Sequence, residues 1–113
     1  MDEKIIAALS PLGYPVVPQR YTGEETTCLT FTYGTQGALF ADDAPLYDLN
    51  LVQIHLLAPY GWDSADVRKQ IKRRLFAAGF TWPVETDASD ARQTENTGQH
   101  IVFQCETEEA AQV

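Results

Sequence analysis

Positive charge is in short supply. Eight Lys and Arg stand against 16 Asp and Glu, a formal net charge of −8 over 113 residues. Such a chain is not expected to wrap duplex DNA through a phosphate-neutralising surface. It also lacks the net positive charge that draws a protein to an anionic membrane. Long apolar runs are missing, and no stretch approaches the roughly 20 apolar residues that span a bilayer. The start, Met1-Asp2-Glu3-Lys4 and a short apolar run to Leu9, has neither the basic head nor the longer apolar stretch of a secretory leader, so that route is not expected. Cysteine is scarce too. Cys28 and Cys105 cannot make a disulfide-dense scaffold; each sits in an apparent strand and is expected as a free, buried thiol, with a single bridge as the lesser reading.

Local chemical motifs are equally thin. His55 and His100 are the two histidines, and neither has the close Asp, Glu or Cys of a local zinc motif. They read as histidines of a sheet surface or edge, and only a site assembled from both in space would change that. Cys28 beside one of them as a nucleophile has no motif behind it. Asp42 and Asp43 precede Ala44-Pro45 and read as a solvated turn rather than a metal or acid–base pair. Gly34 and Gly37 lack the Lys, the Ser/Thr and the helix start of a phosphate loop. No catalytic, cofactor-binding or metal-ligating residue is assigned, and no enzyme activity or cofactor is expected.

Hydrophobic residues, 44% of the chain, supply enough material for one core, and the length fits one domain over residues 1–113. The pattern predicts a helix over 3–10, capped by Asp2, with Ile5, Ile6 and Leu9 on its apolar stripe and Pro11 and Gly13 ending it. Residues 14–18 are extended because proline pushes its predecessor out of the helical region, and 21–25 form a turn. Residues 26–33 alternate as a strand, with Leu29, Phe31 and Tyr33 on one face and Cys28, Thr30 and Thr32 on the other. Gly34-Thr35-Gln36-Gly37 signals a turn or bulge, after which Leu39 and Phe40 briefly continue the sheet. The longest strand runs over 46–57, with Val52, Ile54 and Leu56 facing one way and Gln53, His55 and Leu57 the other. Asp63 is expected to cap a helix that runs to about Ala78 and stops at Gly79. Val67, Ile71, Leu75 and Ala78 form its buried stripe. Residues 80–84 read as a short strand, 85–98 as a long polar loop, mobile in the free protein, and 99–106 as the last strand, before a frayed acidic tail from Thr107. The order implies an α+β fold: a mostly antiparallel sheet with an N-terminal helix and a central amphipathic helix packed on it.

One cluster rises above this background. Five of the eight basic residues lie between Arg68 and Arg74. Arg68, Lys69, Lys72 and Arg73 fall off the apolar stripe, and Phe76 lies among them. The bland reading is a solvated helix face. The sharper one is a docking surface for an acidic partner or subunit, with Arg68, Lys69, Lys72, Arg73 and Phe76 as contacts. A nucleic-acid face is the third, weakened by the acidity of the remainder. Opposite charges in separate places also suit head-to-tail self-association.

The whole-chain pattern resembles the small tail-component proteins of long-tailed phages and prophages, of the tail-completion or tail-terminator-like group. The matching words are IIAAL, PLGYPVVPQRY, TCLTFTYG, FADDAPLYD, LNLVQIHLLAP, DVRKQIKRRLFAAGF and ENTGQHIVFQCE. Their order and spacing carry the likeness, at Phe31 and Tyr33, Asp43 and Pro45, residues 48–56, and Gly79 and Phe80. The resemblance implies a structural protein of the virion tail or neck, assembled in the host cytoplasm. Its copies would form a ring, commonly hexameric, that joins tail-tube or head-tail connector proteins while DNA passes through without specific binding. The competing expectation is a small acidic binding or inhibitor protein that mimics nucleic-acid charge.

Overall fold

The computed structural model describes residues 1–41, 44–59, 61–89 and 98–110. The order is α1 (Asp2–Leu9), a 3-10 turn (Ser10–Leu12), β1 (Val16–Pro18), β2 (Cys28–Ala41), β3 (Ala44–Ala58), α2 (Ala65–Ala77), β4 (Val84–Asp87) and β5 (Gln99–Ala110). The strands form one sheet in the order β1-β2-β3-β5-β4. Only β1 against β2 is parallel; β2 with β3, β3 with β5 and β4 with β5 are antiparallel. This is the expected α+β architecture, with both helices on one face.

The register explains which side chains meet the helices. Leu29, Leu56 and Ile101 lie in one cross-strand row, and Phe31, Ile54 and Phe103 in the next. Val52 faces Cys105 in the third row. Ile5 and Leu9 of α1, Ile71 and Leu75 of α2, and Phe80 close over these rows as one apolar core. The two expected helix stripes are therefore correct at their centres, with Ile6, Val67 and Ala78 only partly buried at its margin. Complete burial of a Leu-sized side chain contributes roughly 1.5–3 kcal/mol, so these rows dominate the stability of the fold.

Two helix ends show how local chemistry positions the core. After α2, Phe80 N–H donates to the Leu75 carbonyl at 3.1 Å and Gly79 N–H to that of Phe76 at 3.1 Å. This is a Schellman arrangement, and it needs the left-handed φ of 101° that Gly79 supplies. It also turns Phe80 back onto Leu75, both buried. After α1, Gly13 takes φ 90° and returns its N–H to the Ser10 carbonyl.

Several boundaries differ from expectation. Asp2 is the first residue of α1 rather than its cap; Met1 occupies the cap position without a side-chain hydrogen bond. At α2 the cap position belongs to Ser64, whose hydroxyl is spent on Gln99 Oε1 at 2.6 Å, and Asp63 accepts from Ala65 N–H one residue outside. Gly34 to Gly37 is not a turn: Gly34 pairs with Leu51, Thr35 with Asn50, Gln36 with Leu49 and Gly37 with Asp48. Glycine weakens a strand without reversing it, and the 15-residue β3 supplies a mate along this length. The short strand lies at Val84–Asp87, not over 80–84, because Phe80 completes the helix end and Pro83 cannot donate to a ladder. Residues 85–87 thus leave the expected loop, while 90–97 of it lie outside the described residues, as do Asp42 and Asp43. The tail is not frayed at Thr107, which is buried; β5 pairs with β3 as far as Ala110.

The sheet is widest where the helices cover it. β1 reaches only Phe31 of β2, and β4 reaches only Gln104 of β5. Past those points only β2, β3 and β5 are paired strands, with Thr81 still hydrogen-bonded to Glu106 at the β5 edge; past the Val52–Cys105 row they continue as a three-stranded arm, and the molecule measures 53 × 28 × 23 Å.

Candidate assembly surface

The cationic helix divides into three stripes around α2. At about 100° per residue, Ile71 and Leu75 point into the core, and both are fully buried. Arg68 and Lys72 lie on a flank toward β4, where both meet Glu85: Arg68 through a charge-assisted hydrogen bond and Lys72 as an ion pair at 3.2 Å. Burial alone would raise the Glu85 carboxyl, but the hydrogen bonds and charges of Arg68 and Lys72 outweigh it and hold the group below its ordinary value. Lys69, Arg73 and Phe76, at i, i+4 and i+7, form the third stripe, opposite the core, and all three are exposed.

Of the five residues expected as contacts, the fold therefore turns Arg68 and Lys72 toward an internal carboxylate and presents Lys69, Arg73 and Phe76 outward. Phe76 is 57% exposed and Trp82 51%. Their rings meet edge to face with centroids 5.6 Å apart. Trp82 was not among the expected contacts. A residue between a helix stop and a proline carries no periodicity to orient it, and only the reversal after Gly79 brings it beside Phe76.

Trp82 also marks the rim of a concavity of about 670 Å³ on the sheet face opposite the helices. Its floor is made by Thr32, Gln53 and Gln104 in adjacent cross-strand positions. Leu51 and Val84 stand beside them, 41% and 64% exposed. It is open and mixed in polarity. Among the described residues no group of three or more His, Cys, Asp and Glu is placed to hold a metal.

The two histidines do come together, on this same face. His55 Nδ1 lies 2.8 Å from His100 Nε2. Burial, then the neighbouring His100, push the His55 imidazole below its ordinary value. That favours a neutral His55, and the hydrogen bond needs one ring to donate and the other to accept. The cysteines are buried free thiols. Cys28 shares a row with Leu57 and His100, whereas Cys105 shares one with Val52, so the two lie on opposite faces and cannot bridge. Burial raises the Cys28 thiol, while burial and the adjacent Glu106 push Cys105 up to about 11, so neither is an activated nucleophile.

At the base of the arm the helix-side rows turn polar. Asn50 and Thr107 are buried where apolar pairs stood before. Asn50 Oδ1 accepts from the Thr35 hydroxyl at 2.7 Å, and the Thr107 hydroxyl donates to the Gly79 carbonyl at 3.4 Å. Tyr33 keeps the expected face but is 43% exposed, and the Asp2 carboxylate beside its hydroxyl raises its pKa.

The fold and this surface define an α+β protein whose conspicuous exposed features are an aromatic and cationic helix stripe, an open sheet face and an arm. No protein-family model matches the chain, and no match is found among curated proteins. Among the described residues no helix is long and apolar enough to cross a membrane.

Proposed function

We propose that the chain is a structural subunit of a phage tail or head-tail junction, forming or joining a ring during tail assembly. The observation that supports this best is the division of one sheet into a helix-covered body and a three-stranded arm. Extending strands beyond the core exposes backbone edges and side chains that a solitary protein gains nothing by displaying. A neighbour that covers them recovers the lost burial. The exposed Phe76 and Trp82 supply the kind of aromatic anchor on which interfaces concentrate their energy. The net charge of −8 suits a subunit past which DNA slides without being gripped.

A tagged copy expressed in the phage-producing host tests this reading. Electron microscopy of particles and assembly intermediates is expected to place the tag on the tail or neck. A tag found on no particle or intermediate would overturn the proposal. The second reading, an acidic binding or inhibitor protein, draws on the carboxylates of the arm. It predicts that the tag purifies instead with a basic host protein.

A further inference from the structure

The charges of this chain are segregated by position in the fold. No Lys or Arg occurs between Arg20 and Arg68, or after Arg92. The strands β2, β3 and β5 therefore contain no cation. Their arm carries Asp48 on the helix-side face and Glu106 and Glu108, both exposed, on the opposite face. On the helix, by contrast, Arg68 and Lys72 are already matched by Glu85. Lys69 and Arg73 make no ion pair with any described residue, and they share their outward stripe with Phe76.

We infer that the acidic arm of one copy docks on the stripe of Lys69, Arg73 and Phe76, flanked by Trp82, of a second copy. The inference rests on the reading of the chain as an assembly subunit, though not on the particle in which it assembles. Three observations select a second copy as the occupant. The partner of a cationic stripe must be anionic, and the arm exposes Glu106 and Glu108 on one face with no Lys or Arg in its three strands. Complementarity is not satisfied within one chain: among the described residues no ion pair joins Lys69 or Arg73 to a carboxylate of the arm, although the end of α2 lies beside the arm's base, where Thr81 is hydrogen-bonded to Glu106. Finally, a helix stripe that met acidic groups through charge alone would have no use for exposed aromatic rings. Phe76 and Trp82 add apolar area that the arm's uncharged edge, Tyr33-Gly34-Thr35, can cover.

The contact is heterologous: the arm and the stripe are different surfaces of the chain. Repeated, it closes into a ring if the rotation permits, or continues as a filament. Exposed charges in water supply steering and register more than affinity, and at ordinary ionic strength they act over about 8 Å. The aromatic pair accordingly carries most of the affinity, and the association strengthens as salt is lowered.

Charge reversal tests the pairing directly. One variant carries Lys69→Glu and Arg73→Glu; the other carries Glu106→Lys and Glu108→Lys, which share one face of the arm. Self-association of the whole chain is measured by sedimentation at low salt, up to about millimolar protein, where even a contact of about 4 kcal/mol is half formed. Wild type is expected to associate, and each variant alone to associate at least about tenfold more weakly. In the first, acidic arm meets acidic stripe; in the second, basic meets basic. An equimolar mixture is expected to restore association, because each arm then finds a stripe of opposite sign. Phe76→Ala is expected to weaken wild-type association about tenfold with its melting temperature unchanged. Wild type that remains monomeric throughout, variants that associate as wild type does, or a mixture no better than its components would each overturn the inference. Head-to-tail association by a chain whose tag is absent from particles would leave this inference standing and remove the tail assignment. A tag on the tail without this association would do the reverse.

Discussion

The body and the arm are built on the same three strands, yet they solve opposite problems. In the body every helix-side row is apolar, from Leu29, Leu56 and Ile101 to Val52 and Cys105, and two helices seal it. In the arm the ladder continues with the same register, but Asn50 and Thr107 take over the buried positions. Backbone pairing carries the strands past the core. The comparison teaches that hydrogen-bonded pairing sets how long a strand is, whereas side-chain burial sets how much of it stabilises the fold.

The sharpest way to break this division is in the body. Leu75→Ala removes a fully buried side chain and is expected to cost about 2–5 kcal/mol, measured by chemical denaturation of the isolated chain. Shortening the arm by replacing residues 38–47 with a two-residue turn between the paired Gly37 and Asp48 is expected to leave a cooperative thermal transition and to cost clearly less than Leu75→Ala. An equal or larger loss would show that the arm belongs to the core.

Smaller effects sharpen the comparison through pH. The Glu85 carboxyl is held below its ordinary value, so its contribution is present above about 4.5 and disappears as pH falls through the folded pKa. Glu85→Gln is expected to flatten that part of the stability profile. Its cost at neutral pH is about 1 kcal/mol or less, because the Arg68 and Lys72 pair with Glu85 remains partly in contact with solvent. The His55 imidazole is depressed from an ordinary 6.5. Its neutral form is therefore favoured by folding, with the full benefit above about pH 6.5 and a progressive loss as pH falls toward the folded pKa. His100→Asn is expected to reduce the slope in that window, followed by denaturation at a series of pH values. If the slope is unchanged, the pair does not control it.

The smallest expected effect concerns the thiols. Cys105, with its pKa pushed up to about 11, is expected to react with iodoacetamide at pH 8 much more slowly in the folded chain than in denaturant, without forming a bridge to Cys28. Mass spectrometry of timed aliquots reads this directly. Rapid native labelling of Cys105 would show that the third core row opens readily.

Much of the body is legible in the amino-acid sequence. A spacing of four places Ile5 with Leu9 and Ile71 with Leu75, and alternation places Val52, Ile54 and Leu56 together. Both follow from the fixed geometry of helix and strand, which is local. Gly79 ends its helix for the equally local reason that a left-handed residue is required there. The alternating pattern of β5 likewise puts Ile101, Phe103 and Cys105 on one face. The outward placement of Phe76 also follows from helix geometry.

The arm and the surface are decided only by tertiary pairing. Two glycines near residues 34–37 read as a turn because nothing local reveals that a 15-residue partner lies alongside. Glu85 is hidden in a polar run because its strand is stabilised by Arg68 and Lys72, 17 and 13 positions earlier. Trp82 meets Phe76, and His55 meets His100, across separations that no periodicity encodes. The sequence by itself determined which residues could be buried, since that depends on side-chain chemistry and the repeat of the backbone. Tertiary structure decided where the core stopped, which cations were internally matched and which faces stayed open, because each of these depends on what chain closure brings alongside.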